Sequence, residues 1–184
     1  MSGTSDLVFE EIPGFYQIVP LKVLRRTKGV LFDNIPPELF PNGVHAYDRV
    51  LHEGGAYSPG SVGDVLRPWY MHPHQADNLV VLHGIRYVDI YTRQHGKVES
   101  FTITPDRVEK NGILVYDGPA MLVWKTGVFH RVESDKVTGS ASLNLAVHYP
   151  GFDIRTNFNV YDLNVETGEY RVIRPGYLDQ PGDI

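Results

Sequence analysis

Residues 69–92 read Trp69-Tyr70-Met71-His72-Pro73-His74-Gln75-Ala76-Asp77-Asn78-Leu79-Val80-Val81-Leu82-His83-Gly84-Ile85-Arg86-Tyr87-Val88-Asp89-Ile90-Tyr91-Thr92. Short runs of Val, Ile, Leu and aromatic residues are broken here by Pro and Gly, and none holds a period of 3.6. The stretch therefore predicts strands. Side chains alternate between the faces of a strand, so His72 and His74, two apart, point the same way and can hold one ion if that face looks inward. A helical pair would stand three or four apart.

The same texture extends along the chain. Candidate strands fall at 15–20, 43–52, 65–74, 78–82, 86–92, 98–104, 112–116, 121–124, 128–133, 140–149, 159–165 and 169–173. Turn residues separate them, as in Gln94-His95-Gly96-Lys97, Lys110-Asn111-Gly112, Asp117-Gly118-Pro119 and Glu166-Thr167-Gly168-Glu169. Only 37–40 has a helical character, for about one turn. A dozen short strands in one chain of 184 residues predict an all-β sandwich or barrel, and a double-sheet jelly roll is the form that encloses a central pocket.

A third histidine, His130, follows Gly127 by three positions. With His72 and His74 it completes a candidate metal site, whereas His45, His52, His83 and His95 have no partner at ligand spacing and read as ordinary structural histidines. The chain has no cysteine, so ligands are limited to nitrogen and oxygen. Asp77, Asn78 or water is left to complete the shell, and imidazole ligands suit Zn, Ni, Fe or Mn alike. Open positions on such an ion polarise a carbonyl or enediol oxygen while a neighbouring proton is removed.

The formal charge of −5 argues against a nucleic-acid binder, since neutralising phosphates takes a basic surface. No apolar run approaches the roughly 20 residues of a membrane span, and residues 1–6 lack a secretory pattern. A cytoplasmic protein acting on a small molecule is expected.

These residues resemble the cupin superfamily, whose first motif is matched by His72, His74, Asn78 and Gly84 and whose second is matched in spacing by Gly118, Lys125, Gly127, His130 and Ser134. Asn78 stands where that family has an acid, Lys125 where it has Pro and Ser134 where it has Asn. A longer and weaker resemblance, over residues 12–150, is to the dTDP-4-dehydrorhamnose 3,5-epimerases. It runs through Ile12-Pro13-Gly14, Val19-Pro20, Lys28-Gly29-Val30-Leu31-Phe32-Asp33, Val65-Leu66-Arg67, His72, Asn78-Leu79-Val80 and Gly127-Val128-Phe129-His130.

The resemblance implies a cupin-type double-stranded β-helix, with that branch's active-site residues altered. It puts the branch's catalytic histidine on His72 and its acid tyrosine on Tyr149. Lys28 takes the place of an N-terminal arginine, and His74 that of a glutamine, which reads as a switch from a metal-free site to a metal site. The expected assignment is thus His72, His74, His130 and Asn78 for the metal and Tyr149, with Tyr70 as substitute, for proton transfer. Arg67, Gln75 and Lys28 are assigned to substrate.

One cupin domain over 1–184 is expected, with N-terminal strands 8–60 at a homodimer interface, a core barrel 61–150 and a C-terminal extension 151–184. The functional expectation is a metal-binding cupin acting as an isomerase or epimerase on a small polar carbonyl or sugar-like substrate. A metal-dependent dioxygenase and a non-catalytic sugar-like ligand-binding cupin are the alternatives.

Overall fold

A computed structural model describes residues 7–181. Two antiparallel sheets pack face to face. One runs in spatial order Glu10–Ile12, Tyr16–Pro20, Ala120–Trp124, Gln75–Gly84, Ser140–His148 and Ala46–His52. The other runs Ile113–Asp117, Arg107–Lys110, Glu99–Thr104, Arg86–Tyr91, Phe129–Ser134, Trp69–Met71, Val160–Leu163 and Tyr170–Arg174, with Tyr57–Ser58 also paired to Phe129–Ser134. Neighbours in a sheet are mostly distant in sequence because the chain passes repeatedly from one sheet to the other. This is the jelly roll that the strand spacing predicted.

Strand alternation places the core. Leu79, Val81, Ile18 and Leu122 from the first sheet meet Val88, Ile90, Phe101 and Ile103 from the second, all buried between the layers. The opposite face of the first sheet is also covered, by Leu39, Phe40, Val44 and Ile35 lying over Val19, Val80, Met121 and Val123. Burial on both faces explains why residues 75–81 are buried without interruption. On the outer side of the second sheet Trp69, Met71, Tyr91, Phe129 and Tyr161 form a third cluster.

Several expected boundaries move. The strand expected over 65–74 contracts to Trp69–Met71, because Pro68 and Pro73 have no N–H to give a ladder and because residues 72–74 carry the chain across from one sheet to the other. The next strand begins at Gln75 rather than 78. Within the chain, Tyr16–Pro20 pairs with Ala120–Trp124, and Ala46–His52 with Ser140–His148. Val160–Leu163 likewise joins the second sheet through Trp69–Met71. The helical residues 37–40 appear as a 3-10 turn, Pro37–Leu39. Among the described residues no helix is long and apolar enough to cross a membrane.

One hairpin stands apart. Among the described residues Lys22–Thr27 pairs only with Val30–Asn34, and every residue of its first strand is exposed.

Candidate metal centre

Gln75, Asp77 and Leu79 are the inward residues of Gln75–Gly84, while Ala76, Asn78 and Val80 face the opposite side. The inward set lines a cavity of about 170 Å³ between the sheets together with Asp48, Val50, His52, Ser58, Tyr70, His72, Arg86, Trp124, Val132, His130, Asn144 and Phe158. His130 reaches it from Phe129–Ser134 in the second sheet, and His72 from the crossing just after Trp69–Met71.

His72, Asp77 and His130 converge there, each offering one ligand atom within 4.8 Å of the others. All three are buried. His72 Nε2 lies 3.4 Å and His130 Nε2 3.9 Å from Asp77 Oδ2. His72 Nδ1 is 2.5 Å from the carbonyl of Asn157, and His130 Nδ1 is 3.2 Å from that of Val128. A carbonyl only accepts, so in a neutral ring the proton sits on Nδ1 and Nε2 presents a lone pair. Asp77 Oδ1 accepts from Gln75 Nε2 at 2.7 Å and from Asn144 Nδ2 at 2.8 Å. Its Oδ2 is buried with no hydrogen-bond partner among the described residues.

The supporting shell is continuous. Asp153 caps the short helix Ile154–Asn157, whose last residue accepts from His72 through its carbonyl and donates from Nδ2 to Gln75 Oε1 at 3.0 Å. Asn144 also donates to Asp48 Oδ2 at 3.1 Å. Burial pushes the Asp48 carboxyl up; the Asn144 hydrogen bond opposes this and the Asp77 charge reinforces it. Burial likewise pushes the Tyr70 phenol up, and its ring lies 6.3 Å from that of His72 and 6.0 Å from that of His130.

Of the residues named from sequence, this cavity brings together His72, His130, Tyr70 and Gln75. His74 is not among them, because the two-apart rule needs a continuous strand and Pro73 sits in a crossing between sheets. Its imidazole lies against Gly151 instead. Asn78 faces away, donating to the carbonyl of Leu145 at 2.6 Å, and Asp77 supplies the inward oxygen. Tyr149 is exposed and borders a different cavity, on the outer face of the first sheet. Arg67 is paired with Glu133 at 2.8 Å and lies over the Tyr57 ring, and Lys28 sits at the tip of the isolated hairpin. Asp48, Asn144 and Asn157 were missed. Asp48 has a signal in hindsight, since it shares the alternation of Val50 and His52.

Burial pushes the His130 imidazole down from 6.5 to about 4. The unfolded chain takes up this proton near pH 6.5 and the folded chain only near pH 4, so in metal-free protein the stability contributed by this ring is lost as pH falls through that window. The expected loss is about 3 kcal/mol. Urea unfolding at pH 7 and pH 4 should show His130→Gln losing less than the wild type by that margin; equal losses would contradict the burial of a neutral ring.

No protein-family model matches the sequence, and no curated protein matches it. Among solved structures, the RmlC epimerase of Mycobacterium tuberculosis superposes with a TM-score of 0.53 at 12% identity, over 76% of this chain and 66% of that one. The sugar 3,4-ketoisomerase QdtA from Thermoanaerobacterium thermosaccharolyticum, in complex with TDP, gives 0.49 at 15% identity over 77% and 85% of the two chains. The TDP-quinovose 3,4-ketoisomerase WlaRB from Campylobacter jejuni gives 0.47 at 14% identity over 78% and 91%. The chain has the cupin-type jelly-roll fold. Within that class the fold is similar to that of the RmlC epimerase.

Proposed function

We propose that this chain is a metal-binding cupin that acts on a small polar carbonyl or sugar-like substrate by proton transfer of isomerase or epimerase type. The observation that carries the metal is the convergence of lone pairs. With both rings neutral and each Nδ1 proton committed to a carbonyl, Nε2 of His72, Nε2 of His130 and Oδ2 of Asp77 face one another with no proton to share. Such a trio repels itself unless a cation stands between. Separations of 3.4 and 3.9 Å are near the ~3–3.5 Å edge of a coordination shell with bonds of about 2.1 Å. A divalent ion bound there would polarise a substrate carbonyl and stabilise the oxyanion formed on deprotonation.

The remaining work belongs to side chains. Asp48, with its carboxyl pushed up by burial, is placed to take and return a proton, and Tyr70, whose phenol burial also pushes up, stays a hydroxyl donor at the pocket wall. Tyr149, in its separate cavity, acts on this pocket only if the chain or an assembly rearranges. The reaction type carries over from RmlC, which is named an epimerase. Incubating the metal-loaded protein with keto sugars and keto acids in deuterium oxide should place deuterium beside the carbonyl of at least one. A second reading has its own observation, because two histidines and one carboxylate form the ligand set of non-haem iron oxygenases. Oxygen consumption without exchange would select it.

The reading includes a homodimer built on the isolated hairpin. Val23, Leu24, Val30, Leu31 and Phe32 are all exposed there, and a two-stranded ribbon is marginal alone. A second copy covers it, and a substrate-binding role for Lys28 requires this assembly. Sedimentation should show a dimer at micromolar concentration and a monomer for Phe32→Asp; a monomeric wild type would end this part of the reading.

A further inference from the structure

The inner surface of the pocket carries a second unusual group. Arg86, the first residue of Arg86–Tyr91, is 2% exposed, and among the described residues no carboxylate lies within 4.0 Å of its guanidinium. Nε donates to Ser140 Oγ at 3.1 Å and Nη2 to the carbonyl of Val50 at 3.1 Å. Two of its five N–H groups are thereby used, and both acceptors are neutral. A buried cation without a counter-charge is costly, and proteins ordinarily pair it. Burial pushes this guanidinium down to about 10, which leaves it charged at neutral pH.

A second observation points the same way. His52, on the edge strand of the first sheet, lines the same pocket, and its Nδ1 is buried with no hydrogen-bond partner among the described residues. Burial, with the Arg86 charge adding to it, pushes this imidazole down to about 4. Ser140 is the backbone partner of His52 and the side-chain partner of Arg86, so the three meet at one end of the cavity. The metal trio is elsewhere along the same walls: His130 pairs with Ile90, four residues on from Arg86, about 13 Å of strand. At about 170 Å³ the cavity is smaller than the roughly 300–1,000 Å³ that holds drug-sized ligands.

We propose that Arg86 is the carboxylate-binding residue of this pocket. Its substrate is then a small organic acid that sets a carboxylate against Arg86 and a carbonyl or hydroxyl against His72, Asp77 and His130. The ligand carboxylate supplies the counter-charge that Arg86 lacks, the guanidinium offers it N–H groups in a planar fork suited to its oxygens, and His52 lies beside it to donate a further hydrogen bond from Nδ1. The inference deepens the functional reading above and rests on that reading only for where the reacting group lies. It narrows the substrate to an oxo acid or sugar acid.

The test uses the full chain treated with EDTA, so that no ion can bind the probe. Calorimetric titration with pyruvate and with its neutral amide, pyruvamide, should show the carboxylate bound about 10- to 100-fold more tightly. Arg86→Met should abolish that preference, Arg86→Lys should keep part of it, and His72→Ala should keep it whole. Equal affinity of the wild type for the two probes, or an undiminished preference in Arg86→Met, would overturn the proposal. If Arg86→Met does not fold, the arginine Nε–H resonances of the wild type decide: one buried resonance must shift with pyruvate and not with pyruvamide. A wild type that keeps the preference but binds no divalent ion would remove the metal reading and leave this one standing. The reverse result would remove Arg86 alone.

Discussion

Asp77→Ala should abolish tight binding of a divalent ion while leaving the fold in place. Loss of a supporting partner behind a ligand costs roughly 10–100-fold in metal affinity, and loss of a ligand itself should exceed that. The substitution removes the only negative charge in the trio and leaves two imidazole lone pairs facing each other. Gln75→Ala and Asn144→Ala, which withdraw the two donors that hold Asp77 Oδ1, should fall within the smaller range. His74→Ala and Asn78→Ala should leave affinity unchanged, because neither side chain lines the cavity. Competition against a chelator of known affinity, on protein purified without a histidine tag, reads all five. Wild-type affinity in Asp77→Ala would remove the metal centre described above.

Gly84→Ala should be among the most damaging single-atom additions in the chain. Gly84 has φ +73°, and a Cβ built there would lie 2.1 Å from the carbonyl oxygen of Gly139. Both are backbone constraints, so no flexible side chain can give way. Left-handed geometry costs about 1–2 kcal/mol for a residue with a Cβ, and overpacking adds about 1–3. Loss of about 2–5 kcal/mol in chemical denaturation is expected. Gly139 is held in the same way against the carbonyl of His52, so the three backbones that meet here fix the end of the cavity that carries Arg86 and His52. Gly14→Ala, with positive φ but open space around it, should cost less than Gly84→Ala.

Much of this was legible in the chain itself. Alternating runs between Gly and Pro gave most strands to within a few residues, and Asn111-Gly112 marked a hairpin turn where both residues do take positive φ. Gly84, quoted for a motif, proves to be a point of backbone contact. The hairpin Lys22–Thr27 with Val30–Asn34 escaped because neither strand alternates, having no core face to select one. The pairing of His72 with His74 misled because parity holds only within one strand, and Pro73 lies where the chain leaves one sheet for the other. The same break shifted the register by one, so that Asp77 rather than Asn78 looks inward. Arg86 carried no local mark, and for Asp48 the alternation with Val50 and His52 was a weak one: a charged residue in a strand reads as surface until the opposite sheet is in place.

That crossing at residues 72–74 has a mechanical meaning. His130 belongs to the second sheet and His72 follows directly on its strand Trp69–Met71, whereas Asp77 belongs to the first, so an ion held by all three would rivet the two halves of the sandwich together. Sliding or spreading of the sheets would tear the coordination sphere, and occupancy would resist both. Free ion at a thousand times its dissociation constant would raise the resistance to unfolding by about 4 kcal/mol. The melting temperature of this protein would then serve as a gauge of the metal content of its surroundings.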